Sequence, residues 1–360
     1  MASSPGQTLD SLESPQLLLD LDRVDANLHY LLDACRQRGV DLRVHFKSLK
    51  CGSLARYLTA AGVKRFLCAK LNEAEVLADA GMTDIFVANE IIGPVKLARL
   101  ARLARRADVR VCVDDAGNVA EMAVAARNEG VTLGVLVEVD VGMQRCGVEP
   151  GEPAVTLARQ IQSEPGLRFV GLQGYDGHLQ MLLDPAERRA KCLTGLERLI
   201  ATKKQIEQAG IPVEVVTGAG TGTWEFVSSF PGVTEIQPGS FLLMDCAYHA
   251  VRPEFGCALS ILSTVVSRRA GRYVLDAGSK AISKDFGTPV IKDKPTERVT
   301  KLAEEHTLVE TPDEVPPVGA RREVLPAHCC ATMNLHRQCV AIRQGRVEAV
   351  WPIEASGRYD

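Results

Sequence analysis

LRVHFKSLKC, residues 42–51, combines a short strand with a lysine at the point where that strand would end. Leu42, Val44 and Phe46 alternate with other side chains, which is the pattern of a half-buried strand. Lys47 follows directly, at a strand end where burial disfavours a charged amine. A neutral lysine amine is what a Schiff base with an aldehyde cofactor requires. A surface lysine after an edge strand would have the same sequence, so the rest of the chain has to separate the two interpretations.

The apolar runs around this stretch alternate with helical stretches over most of the chain. In order, the runs predicted as strands cover residues 42–46, 65–70, 84–89, 110–115, 132–140, 168–178, 213–220 and 235–241. Before them, a first helix is predicted that Asp25 would cap and that would run to Gly39. Eight strands alternating with helices predict an α/β fold, a (β/α)8 TIM-type barrel. A doubly wound open sheet shares the alternation, but eight units in about 200 residues favour closure.

The pattern changes after Asp245, where strand-like runs are separated by turns. These runs cover residues 258–269, 272–278, 322–330 and 338–353. Residues 344–345, Gln-Gly, stand between two alternating strands of the last run, which predicts a tight hairpin. The end of the chain is therefore predicted to be mostly β.

Two domains follow from this change of pattern. We predict a barrel domain at 23–245 and a β-rich domain at 246–360. The early strand at 15–22 precedes the barrel cycle, so it is expected to join the second domain. The charged, proline-rich stretch 292–321 is predicted to be irregular.

Composition and charge narrow the classes of function. The chain has 360 residues, 46% hydrophobic and 24% charged, which is ordinary for a globular protein with a sizeable core. A net charge of -3 without a long basic run disfavours nucleic acid and anionic membranes as partners. The eleven scattered cysteines include no CxxC pair and follow no apolar leader, so we expect reduced thiols in the cytoplasm. A small molecule is the expected partner.

Candidate functional side chains stand where predicted barrel strands end, and the active sites of such barrels lie at that rim. Lys47 follows the first strand, Arg145 lies in the loop after the fifth, and Tyr175 lies near the end of the sixth. Arg145 could hydrogen-bond a phenolate oxygen of a cofactor, or it could be a solvated loop arginine. Tyr175 could contact a cofactor or pack as an ordinary buried aromatic. Several such side chains on one rim favour a binding site.

A glycine-rich loop, TGAGTGT at 217–223, follows the seventh predicted strand. Small residues let backbone N–H groups approach an anion, and the TWEFV segment that follows could supply a helix N-terminus. The position after strand seven favours phosphate, although a flexible loop would have the same composition. The candidate phosphate-binding residues are Thr217, Gly218, Gly220, Thr221, Gly222 and Thr223.

His328 and Cys330 form an H-x-C motif on a segment predicted to be extended. Residues two apart in a strand point to the same face, so imidazole and thiolate could reach one metal ion while Cys329 faces away. A buried thiol beside a structural histidine would give the same motif. The motif is a candidate for half of a four-coordinate metal site.

The whole chain carries motifs of one known family. HFKSLKC (45–51) resembles the lysine segment of metal-activated pyridoxal 5'-phosphate (PLP) enzymes of the D-threonine aldolase and D-serine dehydratase family. Further segments that resemble this family are AKLNEAEVLADAG (69–81), NEIIGPVK (89–96), VEVDVGMQRCGV (137–148), GLQGYDG (171–177), TGAGTGTWEF (217–226), EIQPGSFLLMD (235–245), LDAGSK (275–280), EEH (304–306) and PAHCCATMNLH (326–336). These proteins look like alanine racemases, so the resemblance implies a PLP-binding barrel followed by a β domain, working as a homodimer.

The resemblance implies roles for the matched residues. Lys47 would be the catalytic lysine that binds PLP covalently, and the loop 217–223 would hold the phosphate. Arg145 would lie near the cofactor's O3′ oxygen, and Tyr175 near its ring or phosphate. Matched motifs whose contacts the resemblance leaves open contain Asp245, Asp276 and His306.

The metal motif bears on the reaction. By the resemblance, His328 and Cys330 would hold a divalent metal, which makes His328 a second catalytic candidate. The aldolases of the family carry H-x-D, so H-x-C looks like the dehydratases. The tail 333–358 and the segments GLQGYDG and GTGTWEF look like the aldolases. Sulfur favours zinc, whereas a carboxylate suits manganese or magnesium.

We therefore predict a PLP-dependent lyase that also uses zinc, manganese or magnesium. It would cleave D-β-hydroxy-α-amino acids of the D-threonine type to glycine and an aldehyde by a retro-aldol reaction. The alternative is a D-serine or D-threo-3-hydroxyaspartate dehydratase, which would give a keto acid and ammonia. A non-catalytic PLP-binding protein and a racemase are further alternatives, and the second domain with its metal pair argues against both.

Overall fold

The computed structural model describes residues 4–360, which fall into two compact units. The β-sheet unit comprises residues 4–31, 48–53 and 240–357, and the barrel unit comprises residues 32–47, 54–239 and 358–360. The domain boundaries predicted at 23–245 and 246–360 remain a prediction about folding domains, because the two compact units alternate along the chain.

The helices and strands follow the predicted alternation. The first part of the chain forms β1 (Gln16–Asp20), α1 (Leu21–Arg38), β2 (Asp41–His45), α2 (Gly52–Ala60), β3 (Arg65–Cys68), α3 (Leu71–Asp79), β4 (Asp84–Glu90), α4 (Pro94–Leu103), β5 (Asp108–Val113), α5 (Ala116–Glu129), β6 (Leu133–Glu138), α6 (Glu152–Ser163), β7 (Leu167–Gly174), α7 (Pro185–Gln208), β8 (Val215–Gly218), α8 (Trp224–Ser228) and β9 (Glu235–Ile236). The second part forms α9 (Cys246–Val251), β10 (Leu259–Arg269), β11 (Arg272–Leu275), β12 (Val290–Ile291), β13 (Arg298–Leu302), β14 (Thr307–Glu310), β15 (Arg321–Leu325), α10 (Cys329–Met333), β16 (Gln338–Arg343) and β17 (Arg346–Pro352). Within residues 4–360, no helix has the length and apolar character needed to cross a membrane.

The barrel unit contains strands β2 to β9, which pair in chain order and close on themselves. Closure is made by the parallel pair β2 and β9, in which Asp41 pairs with Glu235 and Leu42 with Ile236. Strands of a closed parallel barrel are covered on both faces, which explains their nearly continuous apolar runs. One buried cluster takes a side chain from each of five consecutive strands: Leu67, Phe86, Cys112, Leu136 and Val170. The predicted (β/α)8 TIM-type barrel is confirmed.

The prediction that the first barrel strand is half-buried is wrong, because Arg43 in β2 is fully buried as well. Its Nε donates to Glu235 Oε1 at 2.8 Å, and its Nη1 donates to Asp84 Oδ1 at 2.6 Å. A guanidinium can be buried when carboxylates neutralise its charge and accept its hydrogen bonds. The alternation in the sequence therefore marks two buried faces, one apolar and one ion-paired.

Helix α1 begins earlier than the cap predicted at Asp25. The Asp20 Oδ1 accepts the backbone N–H of Arg23 at 3.2 Å, so Asp20 supplies the acidic acceptor at the start of the helix. The sequence offered several acidic residues near this point, and the strand end at Asp20 decided which one caps the helix.

The β-sheet unit is built on a nine-stranded sheet whose main path is β13-β14-β11-β10-β1-β16-β17, with β15 paired to β10 and β12. Strand β1 lies antiparallel to β10 and parallel to β16. The early strand predicted at 15–22 thus pairs with strands from the end of the chain. A buried apolar cluster beside it contains Leu12, Leu18, Leu262, Val340, Ile342 and Val347.

The prediction of an irregular stretch at 292–321 is wrong, because β13 and β14 form an antiparallel hairpin there. Val299 and Val309 pair across it and are both buried. The charged residues around them concealed this short period-two pattern. The hairpin predicted at 344–345 is confirmed, since Gln344 and Gly345 have φ values of 49° and 73°, which a type I′ turn requires.

Candidate active site

A cavity of about 240 Å³ lies in the barrel unit at the C-terminal ends of the strands. Its lining residues come from six strand ends and the loops that follow them: His45, Lys47, Ala69, Ala88, Asn89, Arg145, Cys146, Gln173, Tyr175 and Gln237. This is the rim at which barrel enzymes build their sites.

Lys47, Arg145 and Tyr175 meet in this cavity, as their positions at strand ends predicted. The chain leaves β2 through a 3-10 turn, Phe46–Ser48, which places Lys47 in the lining. The Lys47 Nζ lies 5.5 Å from the centroid of the Tyr175 ring, and the Arg145 guanidinium carbon lies 5.7 Å from it. Two cations beside one aromatic ring favour an anionic ligand with a planar ring.

Glu138, which sequence reasoning missed, is the last residue of β6 and is 4% exposed. Its Oε1 lies 3.8 Å from Arg145 Nη2, and its Oε2 accepts a hydrogen bond from Gln173 Nε2 at 3.1 Å. Burial, followed by the nearby Glu90 carboxyl, raises the pKa of Glu138 to about 8 against the opposing charge of Arg145. Near neutral pH this carboxyl therefore holds a proton.

Buried hydrogen bonds connect Glu138 with Glu235 through the barrel interior. Gln237 Nε2 donates to Gln173 Oε1 at 3.1 Å and to Thr217 Oγ1 at 2.9 Å. Thr217 Oγ1 in turn donates to Glu235 Oε1 at 3.1 Å. The Glu235 carboxylate can only accept, so the Thr217 hydroxyl donates to it and itself accepts from Gln237. This order of donors fixes the orientation of the side-chain amides of Gln237 and Gln173.

The glycine-rich loop 217–223 packs on Gln180. The Gly222 N–H donates to Gln180 Oε1 at 2.7 Å, and the Gly220 N–H donates to Thr223 Oγ1 at 3.3 Å. A Cβ at Gly222 would lie 2.3 Å from the backbone oxygen of Gln180, so this close approach requires glycine. All six predicted phosphate residues are buried: Thr217, Gly218, Gly220, Thr221, Gly222 and Thr223. None of them lines the cavity around Lys47, so their phosphate role stays a prediction.

The chemistry of the cavity fits PLP, which is an anionic aromatic aldehyde. Lys47 offers the amine that can condense with an aldehyde. Arg145 offers a permanent positive charge, and Tyr175 offers an aromatic face. The amides of Asn89 and Gln173 add hydrogen-bonding groups to the same lining.

The H-x-C motif lies at the start of a one-turn helix, and its prediction as part of a strand is wrong. Strand β15 ends at Leu325, His328 is the extended residue before α10, and Cys330 is in the helix. Pro326 has no N–H to continue the ladder, which accounts for the end of the strand. Imidazole and thiol nevertheless interact, since each group shifts the pKa of the other.

The pKa values of His328 and Cys330 are shifted in opposite directions. Burial lowers the pKa of His328, but hydrogen bonds and charges from Cys330 and Asp285 outweigh it and raise the pKa to about 9. A hydrogen bond from Cys329, followed by the His328 imidazole, holds the pKa of Cys330 well below that of a free thiol. The Cys330 Sγ also lies 3.0 Å from the Ser48 Oγ. Adjacent nitrogen and sulfur donors of this kind fit a divalent metal, zinc in particular.

The remaining motif residues have structural contacts. Asp245 is buried, caps α9, and accepts the backbone N–H of Cys329 at 2.7 Å, so it anchors the residue between the two candidate ligands. Burial raises the pKa of Asp245 to about 6. Asp276 accepts the backbone N–H of Thr264 at 2.8 Å. His306 is exposed in the turn between β13 and β14.

Sequence reasoning also missed a group of acidic residues at the barrel rim. Glu90, Asp114 and Cys146 offer potential ligand atoms that all lie within 4.8 Å of one another. They come from three different strand ends, so only closure of the barrel brings them together. A signal was available for Glu90, which directly follows the predicted strand 84–89, and for Glu138, which lies two residues before the end of the predicted strand 132–140.

Comparison with known proteins agrees with the motifs. The alanine racemase N-terminal domain family matches residues 19–246, and the putative serine dehydratase domain family matches residues 258–342. The chain is 37% identical to D-threonine aldolase of Arthrobacter sp., over 99% of this chain and 96% of that protein. It is 35% identical to 3-hydroxy-D-aspartate aldolase of Paracoccus denitrificans, over 98% of this chain and 95% of that protein.

Solved structures show the same similarity. D-threonine aldolase from Filomicrobium marinum superposes with a TM-score of 0.96 at 37% identity, covering 99% of each chain. A cysteine-to-alanine variant of D-threo-3-hydroxyaspartate dehydratase in the metal-free form superposes with a TM-score of 0.87 at 27% identity, covering 96% of this chain and 98% of that one.

The chain therefore belongs to the alanine racemase-like family of PLP enzymes, in the branch that contains D-threonine aldolases. It is a PLP-dependent enzyme with lyase activity. The predicted family, the predicted enzyme class and the predicted organic cofactor are confirmed, and the non-catalytic interpretation is set aside.

Proposed function

We propose that this lyase cleaves D-β-hydroxy-α-amino acids of the D-threonine type to glycine and an aldehyde by a retro-aldol reaction. The observation that carries the proposal is the placement of Lys47 beside Tyr175 and Arg145 in the barrel cavity. The full-length similarity to D-threonine aldolase supports the choice of reaction.

Lys47 would hold PLP through its side-chain amine. Bound PLP supplies an electron sink for the negative charge that develops when the Cα–Cβ bond breaks. Arg145 would bind an anionic oxygen of the cofactor, and Tyr175 would offer its aromatic face to it. Glu138 lies 3.8 Å from Arg145 and accepts a hydrogen bond from Gln173, so the Glu138 carboxyl would help to position Arg145 beside the cofactor.

The loop 217–223 is proposed to bind the phosphate through backbone N–H groups. Two of its N–H groups donate to the side chains of Gln180 and Thr223, so phosphate binding would exchange these partners for phosphate oxygens. The absence of a Cβ at Gly220 and Gly222 is what allows such close approach.

His328 and Cys330 are proposed to hold the divalent metal, in keeping with their adjacent nitrogen and sulfur donors. Zinc, manganese or magnesium bound there supplies a Lewis acid that lowers the pKa of the substrate's β-hydroxyl group. Sulfur ligation favours zinc among the three. The metal-free form of the related dehydratase supports a metal requirement in this branch.

Cys330 favours one other reaction, which is dehydration of D-serine or D-threo-3-hydroxyaspartate. In that reaction Lys47 would remove the α-proton, and the β-hydroxyl group would leave as water. The enamine that results tautomerises to an imine, and hydrolysis of the imine by water releases ammonia and gives a keto acid. Both reactions use the same residues and differ in which bond of the substrate is broken first.

We also propose a homodimer in the cytoplasm. The dimer rests on the resemblance to alanine racemases, and a measured mass of about twice 38.9 kDa would support it. The compartment is supported by the cysteines, since all eleven are free thiols and a reducing environment maintains that state.

Product analysis separates the two reactions. The purified enzyme, loaded with PLP and with zinc or manganese, is given D-threonine, D-serine and D-threo-3-hydroxyaspartate in separate reactions, with L-threonine as the stereochemical control. We expect glycine and acetaldehyde from D-threonine. A keto acid with ammonia, and no glycine, would overturn the aldolase in favour of the dehydratase.

A further inference from the structure

A short loop of the β-sheet unit, residues 283–286, encloses the imidazole of His328. Asp285 Oδ2 lies 2.6 Å from His328 Nδ1. The ring of Phe286 is stacked on the imidazole, with 3.9 Å between the ring centroids and 6° between the planes. The stacking contact therefore fixes the orientation of the ring plane, and the hydrogen bond fixes how the ring is turned within that plane.

The hydrogen bond to Asp285 decides which ring nitrogen remains for other partners. A carboxylate can only accept at Nδ1, so this nitrogen carries a proton. The Nε2 atom is then the ring nitrogen whose lone pair can bind a metal. A carboxylate that accepts from one ring nitrogen while the other binds a metal is the common arrangement of metal-ligating histidines.

The loop is tied to the helix that carries Cys330. The Ser283 backbone N–H donates to Thr332 Oγ1 at 3.1 Å, and Thr332 lies in α10. The Ser283 hydroxyl donates to Asp285 Oδ1, the carboxylate oxygen that does not face His328. The carboxylate is thus oriented from both sides, and its support comes from the same helix as one candidate ligand.

We propose that Asp285 is a positioning residue that fixes His328 so that Nε2 binds the metal, with Phe286 holding the plane of the ring. This inference rests on the metal site proposed above. The ligand class is a divalent cation that accepts mixed nitrogen and sulfur donors, such as zinc or cobalt.

A purely structural role for Asp285 predicts something different. Its side chain is 48% exposed and closes no apolar core, so its removal should leave the fold intact. If the carboxylate only stabilised the loop, a substitution would change thermal unfolding and leave metal affinity as it was. If it positions the ligand, metal affinity changes and thermal unfolding of the metal-free protein does not.

The experiment measures metal affinity directly. The PLP-loaded protein is stripped of metal and titrated with zinc against a chromogenic chelator, and in parallel with cobalt, whose visible absorption reports the ligand geometry. The variants are Asp285→Ala, Asp285→Asn, and Glu314→Ala as a control at an exposed carboxylate of the same unit. We expect Asp285→Ala to weaken zinc binding about 10- to 100-fold and to change the cobalt spectrum.

Asp285→Asn keeps an oxygen that can accept from Nδ1, so it should recover most of the affinity, and Glu314→Ala should match the wild type. Unchanged affinity and an unchanged cobalt spectrum in Asp285→Ala would overturn the positioning role while leaving the metal site in place. A wild-type protein that binds neither metal would overturn the proposed metal site, and this inference with it.

Discussion

The barrel cavity and the H-x-C segment hold their functional side chains in different ways. Lys47 and Glu138 stand at the ends of strands in a closed barrel, where each strand is paired with a neighbour on both sides. His328 and Cys330 stand at the start of a one-turn helix, which is held by hydrogen bonds to the buried Asp245 and to the loop 283–286. The first arrangement spreads its support over many backbone hydrogen bonds, whereas the second depends on a few side chains.

This comparison predicts that single substitutions in the cavity change chemistry without loosening the fold. Lys47→Ala should abolish the visible absorbance of bound PLP and reduce lyase activity on the order of 10⁴-fold, because no other amine takes its place. Absorbance spectra and initial rates measure both effects, and the exposed Lys64→Ala is the matched control. Retained cofactor absorbance in Lys47→Ala would rule out this lysine as the one that binds PLP.

Substitutions in the H-x-C segment should have the opposite effect: the protein should still bind PLP but lose the metal. His328→Ala should leave cofactor absorbance unchanged and lower metal-stimulated turnover roughly 10²- to 10³-fold, because one of two protein ligands is lost. Rates are measured with and without added zinc or manganese. If the variant turns over as fast as the wild type without any metal, the ligand role of His328 is refuted.

Substitution of Asp245 measures how much the stability of the H-x-C segment depends on one side chain. Asp245→Ala removes an acceptor from the backbone N–H groups of Cys329 and of α9, so the free energy of unfolding should fall by about 2–3 kcal/mol. The matched substitution in the barrel unit is Asp115→Ala, at the exposed cap of α5, which should cost only about 1 kcal/mol. Urea unfolding measures both, and equal losses would contradict the difference drawn between the two regions.

Glu138 gives the cavity a pH dependence of its own. Its pKa of about 8 lies above its ordinary value of 4.5, so the folded chain binds this proton more tightly than the unfolded chain does. The stabilisation is complete below pH 4.5 and is lost as the pH rises through 8. Between pH 6 and 9 the wild type should lose about 1 kcal/mol or more of unfolding free energy relative to Glu138→Gln, which cannot ionise. The exposed Glu121→Gln should follow the wild type, and parallel pH curves for Glu138→Gln and wild type would refute the assignment.

Residues at strand ends were the part of the site that could be predicted. Lys47, Arg145 and Tyr175 were found because each follows an apolar run, and a barrel brings such positions to one rim. Gln173 and Gln237 were missed, because a polar residue inside a predicted strand gives no sign of its partner on another strand. Their hydrogen bond to each other exists only once the strands are in register.

The H-x-C motif was predicted as a metal site from strand geometry, and the structure contradicts that geometry. Its spacing was interpreted as two side chains on one face of a strand, whereas His328 precedes a helix and Cys330 lies within it. Pro326 was visible in the sequence and marks where the strand has to stop. Asp285 gave no signal, because its distance from His328 along the chain is large and its loop has no regular pattern.

The sequence by itself determined the barrel, the later β strands and the family, since these depend on local periodicity and on motifs that occur in order. Residues two or four apart settle a strand or a helix without reference to distant segments. Only the tertiary structure decided that Glu138 supports Arg145, that Arg43 is buried between Glu235 and Asp84, and that Asp285 fixes His328. Each of these contacts joins residues from separate elements, so it depends on strand register and loop path, which neighbouring residues in the sequence do not specify.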